Sequence, residues 1–483
     1  MIEVIDRPNK KLKELVFEYK ETVSDESIDN YASTIGKFPY VVINGVTVES
    51  TDINYLKLYN NAFLPEIEIS FRDPTNKLHD SNYPLDQQIV SILISATSDL
   101  LMPIRMDFYI TVFNSVKGKS DAESNLYLLR GILDVKKIIK NYSINGTSYE
   151  ALKKISNILD LGFASNISDT NDSMNWLNTG VDFATDYIKD IVKHSYMSDN
   201  TFLWAYVDFY YNLNYVDIET QMKEDISNIQ TVVNSETVTG EQTTIPLILS
   251  NHPDKSSTNL FIDKYNLLNE SFNVNLKQGY NPLLIYYDTS NKKILNYHID
   301  PTSTKGDKGN QIVMKGQPSD NNYLKEQEKN YYVGKIDTDN MHANYIYAEM
   351  LNEHNLNFLQ KIRMSIILKN PNYQLYRFQK VRIEIYKLTE LDPKIVIVTK
   401  SDLLNSANID KYKLNERLSG EWLITGINFT FKRGNQRNMV QEVTVVKREL
   451  TATEGLVEGD NAEMNSNKTA STVNDIKNIL MKK

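Results

Sequence analysis

Apolar and polar positions alternate along most of this chain, in two blocks separated by a stretch of helical periodicity. In the first block Val41, Ile43 and Val46 surround Asn44-Gly45, a dipeptide that favours a two-residue hairpin turn. Ile67, Ile69 and Phe71 alternate with Glu66, Glu68 and Ser70, so one face of that strand is wet. Further strands are predicted at 55–58, 89–95, 106–113 and 126–139, with Asp73-Pro74-Thr75-Asn76 as a turn. Short strands punctuated in this way predict a small antiparallel barrel or sandwich. The second block repeats the pattern at 362–368, 379–386, 395–398, 422–432 and 439–447.

The stretch between them reads differently. Thr147 and Glu150 stand at capping-box spacing ahead of a helix carrying Leu152, Ile155, Ile158 and Leu159, which ends at Gly162. Thr179 and Asp182 repeat the spacing, with Asp where Glu or Gln is usual, before Ala184, Tyr187, Ile188, Ile191 and Val192 fall on one helical face. After Asp199-Asn200, residues 202–216 are aromatic and β-branched and predict two strands bent around 211–214.

The expected fold class is therefore α+β, mostly β: two antiparallel β-barrel domains with an intervening α/β module and a flexible C-terminal tail. The boundaries run as an arm at 1–37, a first barrel at 38–145, a middle domain with polar linker at 146–258, and the first strands of the second barrel at 259–288. A solvent-facing insertion follows at 289–341, then a helix and the remainder of the second barrel at 342–450, and a polar tail at 451–483. The tail ends in a short helix capped by Thr472, with Val473, Ile476, Ile479 and Leu480 on one side. A helix that short is marginal alone and is expected to dock.

Two short matches suggest that one barrel is present twice. Gln87-Gln88-Ile89-Val90-Ser91-Ile92 shares its alternation with Gln379-Lys380-Val381-Arg382-Ile383-Glu384. Leu129-Arg130-Gly131-Ile132 recurs as Ile424-Thr425-Gly426-Ile427.

Composition matters chiefly for what it excludes. A chain of 483 residues has room for two to four domains. Its net charge of -9 gives no basic footprint with which to grip nucleic acid. Cysteine is absent, which removes disulfides, thiolate metal sites and Cys nucleophiles. The 30 tyrosines suit large, wettable contact surfaces, because Tyr combines apolar area with a polar tip. Charges interrupt the apolar residues near the start and no stretch approaches a membrane span, so the expectation is a soluble chain, folded without export and without membrane insertion.

Candidate chemistry is thin. His79, His194, His252, His298, His342 and His354 are scattered, with no paired-His spacing for zinc. His298-Ile299-Asp300 offers two ligand types, but strand neighbours point to opposite faces. His194 ends the 184–192 helical pattern, where a cation meets the helix dipole favourably. Gly306-Asp307-Lys308-Gly309 lacks the strand and helix that a phosphate loop needs. Asp208 and Asp217 could serve as a glycosidase acid and base; the plainer reading is polar positions on half-buried strands. Phe202, Trp204, Tyr206, Phe209, Tyr210 and Tyr211 could stack sugars, or form core on one face and subunit interface on the other. No catalytic residue, metal ligand or cofactor is expected. The interface candidates are Trp204, Tyr206, Tyr210 and Tyr211, with Ile476 and Leu480 from the tail.

Three stretches carry a family resemblance: 176–218 with its Trp entry, helix and aromatic strand pair; 277–288, KQGYNPLLIYYD; and 418–448, with SGEWLITGINFTF and QEVTVVKRE. Together the chain resembles the baseplate hub proteins of T-even-type contractile phages, a family similar to the late-control D protein and the base of the type VI secretion spike. The resemblance implies a homotrimer in the tail baseplate of a virion, assembled in the host cytoplasm. Two barrels per chain would form a pseudo-sixfold ring that adapts the tail tube protein to the central spike protein, among other baseplate proteins. DNA would pass through the lumen without being held. A tail-associated cell-wall hydrolase or a carbohydrate-binding protein is the competing expectation.

Overall fold

The structure, a computed structural model, describes residues 2–8, 39–80, 83–84, 88–94, 104–116, 125–135, 142–178, 183–224, 248–256, 260–270, 283–298, 331–337, 339–369, 371–372, 375–388, 412–432 and 439–448. The strand expected at 395–398, the Thr179 and Asp182 pair, Asp300, and the tail with Ile476 and Leu480 lie outside them.

Strand β1 (Glu3–Asp6) pairs antiparallel with residues 163–165, so this part of the expected arm is tied into the middle of the chain. The first β unit comprises β2 (Tyr40–Ile43), β3 (Val46–Val48), β4 (Ile53–Asn60), β5 (Glu66–Asp73), β6 (Ile89–Ile94), β7 (Ile104–Val116) and β8 (Asn125–Leu133). Asn44 and Gly45 both take positive φ, 47° and 77°, as the tight β2–β3 turn requires. Across the sheet the order is β4-β5-β8-β7-β6-β2-β3. The alternation places Ile67, Ile69 and Phe71 of β5 and Tyr127 and Leu129 of β8 in the core.

The middle of the chain holds β9 (Tyr142–Gly146), α1 (Ser148–Ile158), β10 (Gly162–Ser165), β11 (Met174–Asn178), α2 (Ala184–His194), β12 (Leu203–Val207), β13 (Asn212–Asp217) and α3 (Ile218–Lys223). Thr147 and Glu150 form the expected capping box of α1. Helix α2 instead starts after Phe183, which caps it without a side-chain bond, so the Thr179 spacing is not its start signal. Strands β1, β10, β13 and β12 make a four-stranded sheet, with β10 and β13 parallel. Ala151, Leu152 and Ile155 of α1 and Ile188 and Ile191 of α2 share a core with Leu213 and Tyr215 of β13.

The remaining elements are β14 (Ile248–Ser250), β15 (Ile262–Asn269), β16 (Leu283–Asp288), β17 (Lys293–His298), β18 (Tyr331–Ile336), α4 (Tyr345–Gln360), β19 (Ile362–Leu368), β20 (Lys380–Glu384), β21 (Tyr386–Leu388), β22 (Tyr412–Leu414), β23 (Gly420–Lys432) and β24 (Met439–Lys447). Two of the assignments differ from the sequence reading. Residues assigned to a polar linker form α3 and β14. The insertion contributes β17 and β18, which flank β16 in a sheet of their own. That sheet packs Leu284, Tyr286 and Ile336 against Met350 and Leu351 of α4. Finally, α4 is bound to α2: the Asn352 side-chain amide donates to the carbonyls of Val192, Lys193 and Ser195 at 3.3, 3.2 and 3.0 Å. It thereby serves carbonyls at the C-terminal end of α2, of which Val192 O also accepts the Ser195 N–H at 3.2 Å.

The second β unit repeats six of the first unit's seven strands. Its order, β14-β20-β23-β24-β19-β15, is that of β2-β6-β7-β8-β5-β4. The irregularities recur too. Strands β4 and β15 each open on a buried isoleucine, Ile53 and Ile262, with a register shift before Tyr55 and Lys264. Strands β7 and β23 each shift register at a threonine, Thr111 after Ile110 and Thr425 after Ile424. Ahead of each shift, Ile110 N–H donates to Gln88 O at 3.1 Å and Ile424 N–H to Gln379 O at 3.0 Å. A bulge is a positioned feature of a sheet, and two at matching sites in one strand order mark a duplication. Among the described residues the pairing differs in that β14 runs parallel to β20 while β2 runs antiparallel to β6, and in that β3, paired to β2, has no counterpart in the second unit.

This alignment corrects both sequence matches. Gln88, not Gln87, is the partner of Gln379, and Ile424-Thr425-Gly426 corresponds to Ile110-Thr111-Val112 rather than to Leu129-Arg130-Gly131. The shared glycine misleads because its causes differ. A Cβ on Gly131 would come 2.7 Å from Tyr109 O, whereas one on Gly426 would come 3.0 Å from Asn61 Cβ.

The two units are continuous in one 13-stranded sheet. Strand β23 pairs β20 through residues 420–423 and then β4 through residues 427–432. Ser250 closes the second unit, bridging to Phe261 and donating its N–H to Leu260 O at 3.0 Å.

Candidate assembly interface

The aromatic run on β12 and β13 was the sequence's strongest surface candidate, and its turn is held by a carboxylate. Asp208 accepts from the N–H groups of Tyr210 and Asn212 at 2.8 and 2.9 Å and from the side-chain amides of Asn212 and Asn214, both at 3.1 Å. That network fixes Tyr211 at a φ of 61°, a conformation disfavoured for a bulky residue. Asp217 caps α3, accepting from Glu219 and Thr220 N–H at 3.2 Å, from the Thr220 hydroxyl at 2.6 Å and from Phe202 N–H at 2.8 Å. Burial pushes the pKa of both carboxyls up, and the donated hydrogen bonds work against it. Each carboxylate is already engaged in shaping the backbone.

The tyrosines point inward. Tyr206 is 2% exposed and donates its hydroxyl to Arg377 O at 3.1 Å. Tyr211 is 1% exposed, and its hydroxyl accepts the Asp107 N–H of β7 at 2.9 Å. Trp204 is half-buried beside Phe202, their ring centres 6.4 Å apart, and Tyr210 is half-buried against the main core. Within the chain, Tyr206 and Tyr211 join its separate parts. Their alternation could not distinguish a neighbouring domain from a neighbouring chain.

Arg377 is the centre of that joint. Its Nε donates to Thr425 O of β23 at 2.9 Å, and its Nη1 to Ala62 O, just past β4, at 2.6 Å and to Asn60 Oδ1 at 3.4 Å. The guanidinium lies 4.4 Å from the centre of the Tyr206 ring, close enough for a cation–π contact. One buried cation thus binds both β units and the middle module. Burial lowers its pKa to about 10, so it remains charged at neutral pH. A second buried link joins Glu219 of α3 to Arg448, just after β24, through both guanidinium Nη groups. These partners lie 229 residues apart. Sequence reasoning missed Arg377, Glu219, Arg448 and Asn352, because single polar residues outside any spacing pattern carry no local signal.

His194 does end α2, and it is buried there. Its ring stacks on Tyr345 at 3.7 Å, and its carbonyl faces His342 Nε2 at 2.9 Å. Among the described residues no group of three His, Cys, Asp or Glu is placed to hold a metal ion. Among them, too, no helix is long and apolar enough to cross a membrane. Among the described residues, large apolar side chains stand exposed on three strands of the units, Val112 and Val116 of β7, Leu126 of β8, and Tyr265 and Leu268 of β15.

No family model matches the sequence, and no curated protein matches it. Solved structures do. A tail protein from Neisseria meningitidis is similar over 85% of this chain and 96% of its own, at 9% identity and a TM-score of 0.44. The 43 kDa tail protein of a Shewanella oneidensis prophage covers 85% of this chain and 98% of its own, at 10% identity and a TM-score of 0.46. An E. coli component of the type VI secretion system covers 86% and 79%, at 11% identity and a TM-score of 0.36.

Proposed function

We propose that the chain is a structural hub of a phage-tail-type baseplate, in which three copies form a ring of six barrel-like units. The observation that carries this reading is the duplication: two units of one strand order, with matching bulges, joined edge to edge within one chain. A closed ring of three such chains is threefold by composition and nearly sixfold in its units. It can therefore meet a sixfold tail tube on one side and a threefold central spike on the other. The acidic balance suits a lumen through which DNA passes without being gripped. On this reading the partners are a tail tube protein, a spike protein and other baseplate proteins, and the chain acts in the virion after assembly in the host cytoplasm.

The role proposed is mechanical rather than catalytic. Asp208 and Asp217, the carboxylates a wall hydrolase would use, each accept four hydrogen bonds that shape the local backbone. Light scattering on the purified chain, run beside a cell-wall hydrolysis assay, tests the choice. The expected result is three times the chain mass of 55.7 kDa without hydrolysis. A monomer whose hydrolysis disappears on Asp208→Asn or Asp217→Asn would overturn it.

A further inference from the structure

Strand β4 meets β23 inside the chain, but the equivalent strands of the other units, β15 and β7, do not meet within it. The edge of β7 is covered by β6 as far as Ile110 and its bond to Gln88. Beyond it, among the described residues, no strand lies along residues 111–116 on that side. On β23 the equivalent edge, past Ile424 and its bond to Gln379, is where β4 binds. Likewise β15 pairs β19 on one side, and among the described residues no strand lies along 264–268 on the other.

Exposure follows the same division. Leu56 of β4 is fully buried, and its equivalent Tyr265 is 41% exposed; Leu268 is 45% exposed and Val116 57%. Residues 263–266 of β15 are exposed in succession, so both faces of the strand are open. A strand edge with bare backbone and apolar side chains is a template for another chain.

We propose that β15 of one copy adds antiparallel to residues 111–116 of β7 in the next copy, reproducing between chains the β4–β23 joint found within one. The number of copies rests on the ring reading above; the strand pairing rests on the duplication. The internal joint places Asn60 opposite Ile427, Tyr59 opposite Asn428, Leu58 opposite Phe429 and Lys57 opposite Thr430. Replacing each residue by its equivalent in the other unit gives the register. Asn269 faces Phe113, Leu268 faces Asn114, Leu267 faces Ser115 and Asn266 faces Val116. Val112 stands where Gly426 admits Asn61, so the pairing starts at Phe113. The contact is head-to-tail, and such contacts either close into rings or run on as filaments.

Because the chain has no cysteine, introduced thiols can be read without background. Asn114→Cys and Leu268→Cys are combined in the full-length chain. Directly opposite residues of antiparallel strands have Cα atoms about 4.5–5.5 Å apart, within the span of a disulfide. A register-shifted chain carries Asn114→Cys with Asn266→Cys. Mild oxidation is expected to convert the matched chain, but not the shifted one, into a covalent three-chain species on a non-reducing gel. Leu268→Asp is expected to abolish assembly while leaving the monomer's unfolding midpoint in place. A three-copy assembly that yields no disulfide in the matched chain, or as much in the shifted one, overturns the strand pairing and leaves the ring standing. A chain that stays monomeric before oxidation overturns the ring and the pairing with it.

Discussion

Strands β4 and β15 are one element in two settings. Their sequences, INYLKLYN and IDKYNLLN, begin on isoleucine, end on asparagine and share the leucine at the sixth position. Both shift register after the first residue, and both pair antiparallel with the strand that follows in their unit, β5 or β19. Yet Leu56 and Leu58 are fully buried on β4, while Tyr265 and Leu268 are exposed on β15. Local sequence made the same strand twice. What differs is the second neighbour: β4 has β23 on its other edge, with Arg377 locking the corner, and β15 has no such strand among the described residues. Burial in a sheet therefore belongs to the pair of neighbours a strand receives, rather than to the strand alone.

The sharpest break between the two settings comes from placing a charge at equivalent positions. Leu56→Asp is expected to unfold the chain, since burying an unpaired carboxylate costs several kcal/mol. Tyr265→Asp is expected to shift stability by no more than about 0.5 kcal/mol, as other exposed substitutions do, and to abolish assembly. Denaturant unfolding followed by circular dichroism, with light scattering on the same samples, reads both; equal loss of stability at the two positions would contradict the comparison. Next in size is the corner. Removing the buried guanidinium as Arg377→Ala takes its donor from the half-buried Thr425 and Ala62 carbonyls and is expected to cost about 3–5 kcal/mol, as is breaking the other buried link with Glu219→Ala. A midpoint unchanged in either variant would show that these links do not hold the units together.

A smaller effect separates Gly426 from Val112. Gly426→Ala pushes a methyl to 3.0 Å from Asn61 Cβ at the joint and is expected to cost about 1–3 kcal/mol by overpacking. Val112→Ala, on the open edge, is expected to change the midpoint of the unassembled chain hardly at all. The last prediction concerns alkaline pH. Burial raises the pKa of Tyr206, Tyr211 and Tyr215 above the ordinary 10, and raises Tyr210 to about 12. The folded chain keeps these phenols protonated where the unfolded chain ionises. Their contribution is full below pH 10 and is lost as pH rises through the folded values. Denaturant midpoints should fall from pH 10 upward, less steeply in Tyr206→Phe; an unchanged slope in that variant would remove Tyr206 from the account.

Much of the fold was legible because its signals are local. Alternation located the strands of both units, Asn44-Gly45 gave the hairpin, and Thr147 with Glu150 gave the start of α1. The Thr179 spacing failed where the same logic was extended without the chain geometry that decides it: α2 is capped four residues later, by backbone alone. The duplication was visible only dimly, and for a physical reason. What the two units share is the order of strands and the position of bulges, which constrain apolarity and backbone shape but few residue types. Ile110-Thr111 and Ile424-Thr425 carry the true match, whereas the shared glycines Gly131 and Gly426 stand on strands that are not equivalent. The joint around Arg377 was not legible at all. Its partners Asn60, Ala62 and Thr425 come from strands distant in sequence, and only the folded sheet brings them to one guanidinium.

The most direct test of the central claim is imaging of the purified full-length chain, averaged without imposed symmetry. The account predicts a ring of three chains with six similar lobes around an open pore, in which β15 of each chain lies along β7 of the next. A single-copy particle, or a ring in which those two edges both face solvent, would contradict it.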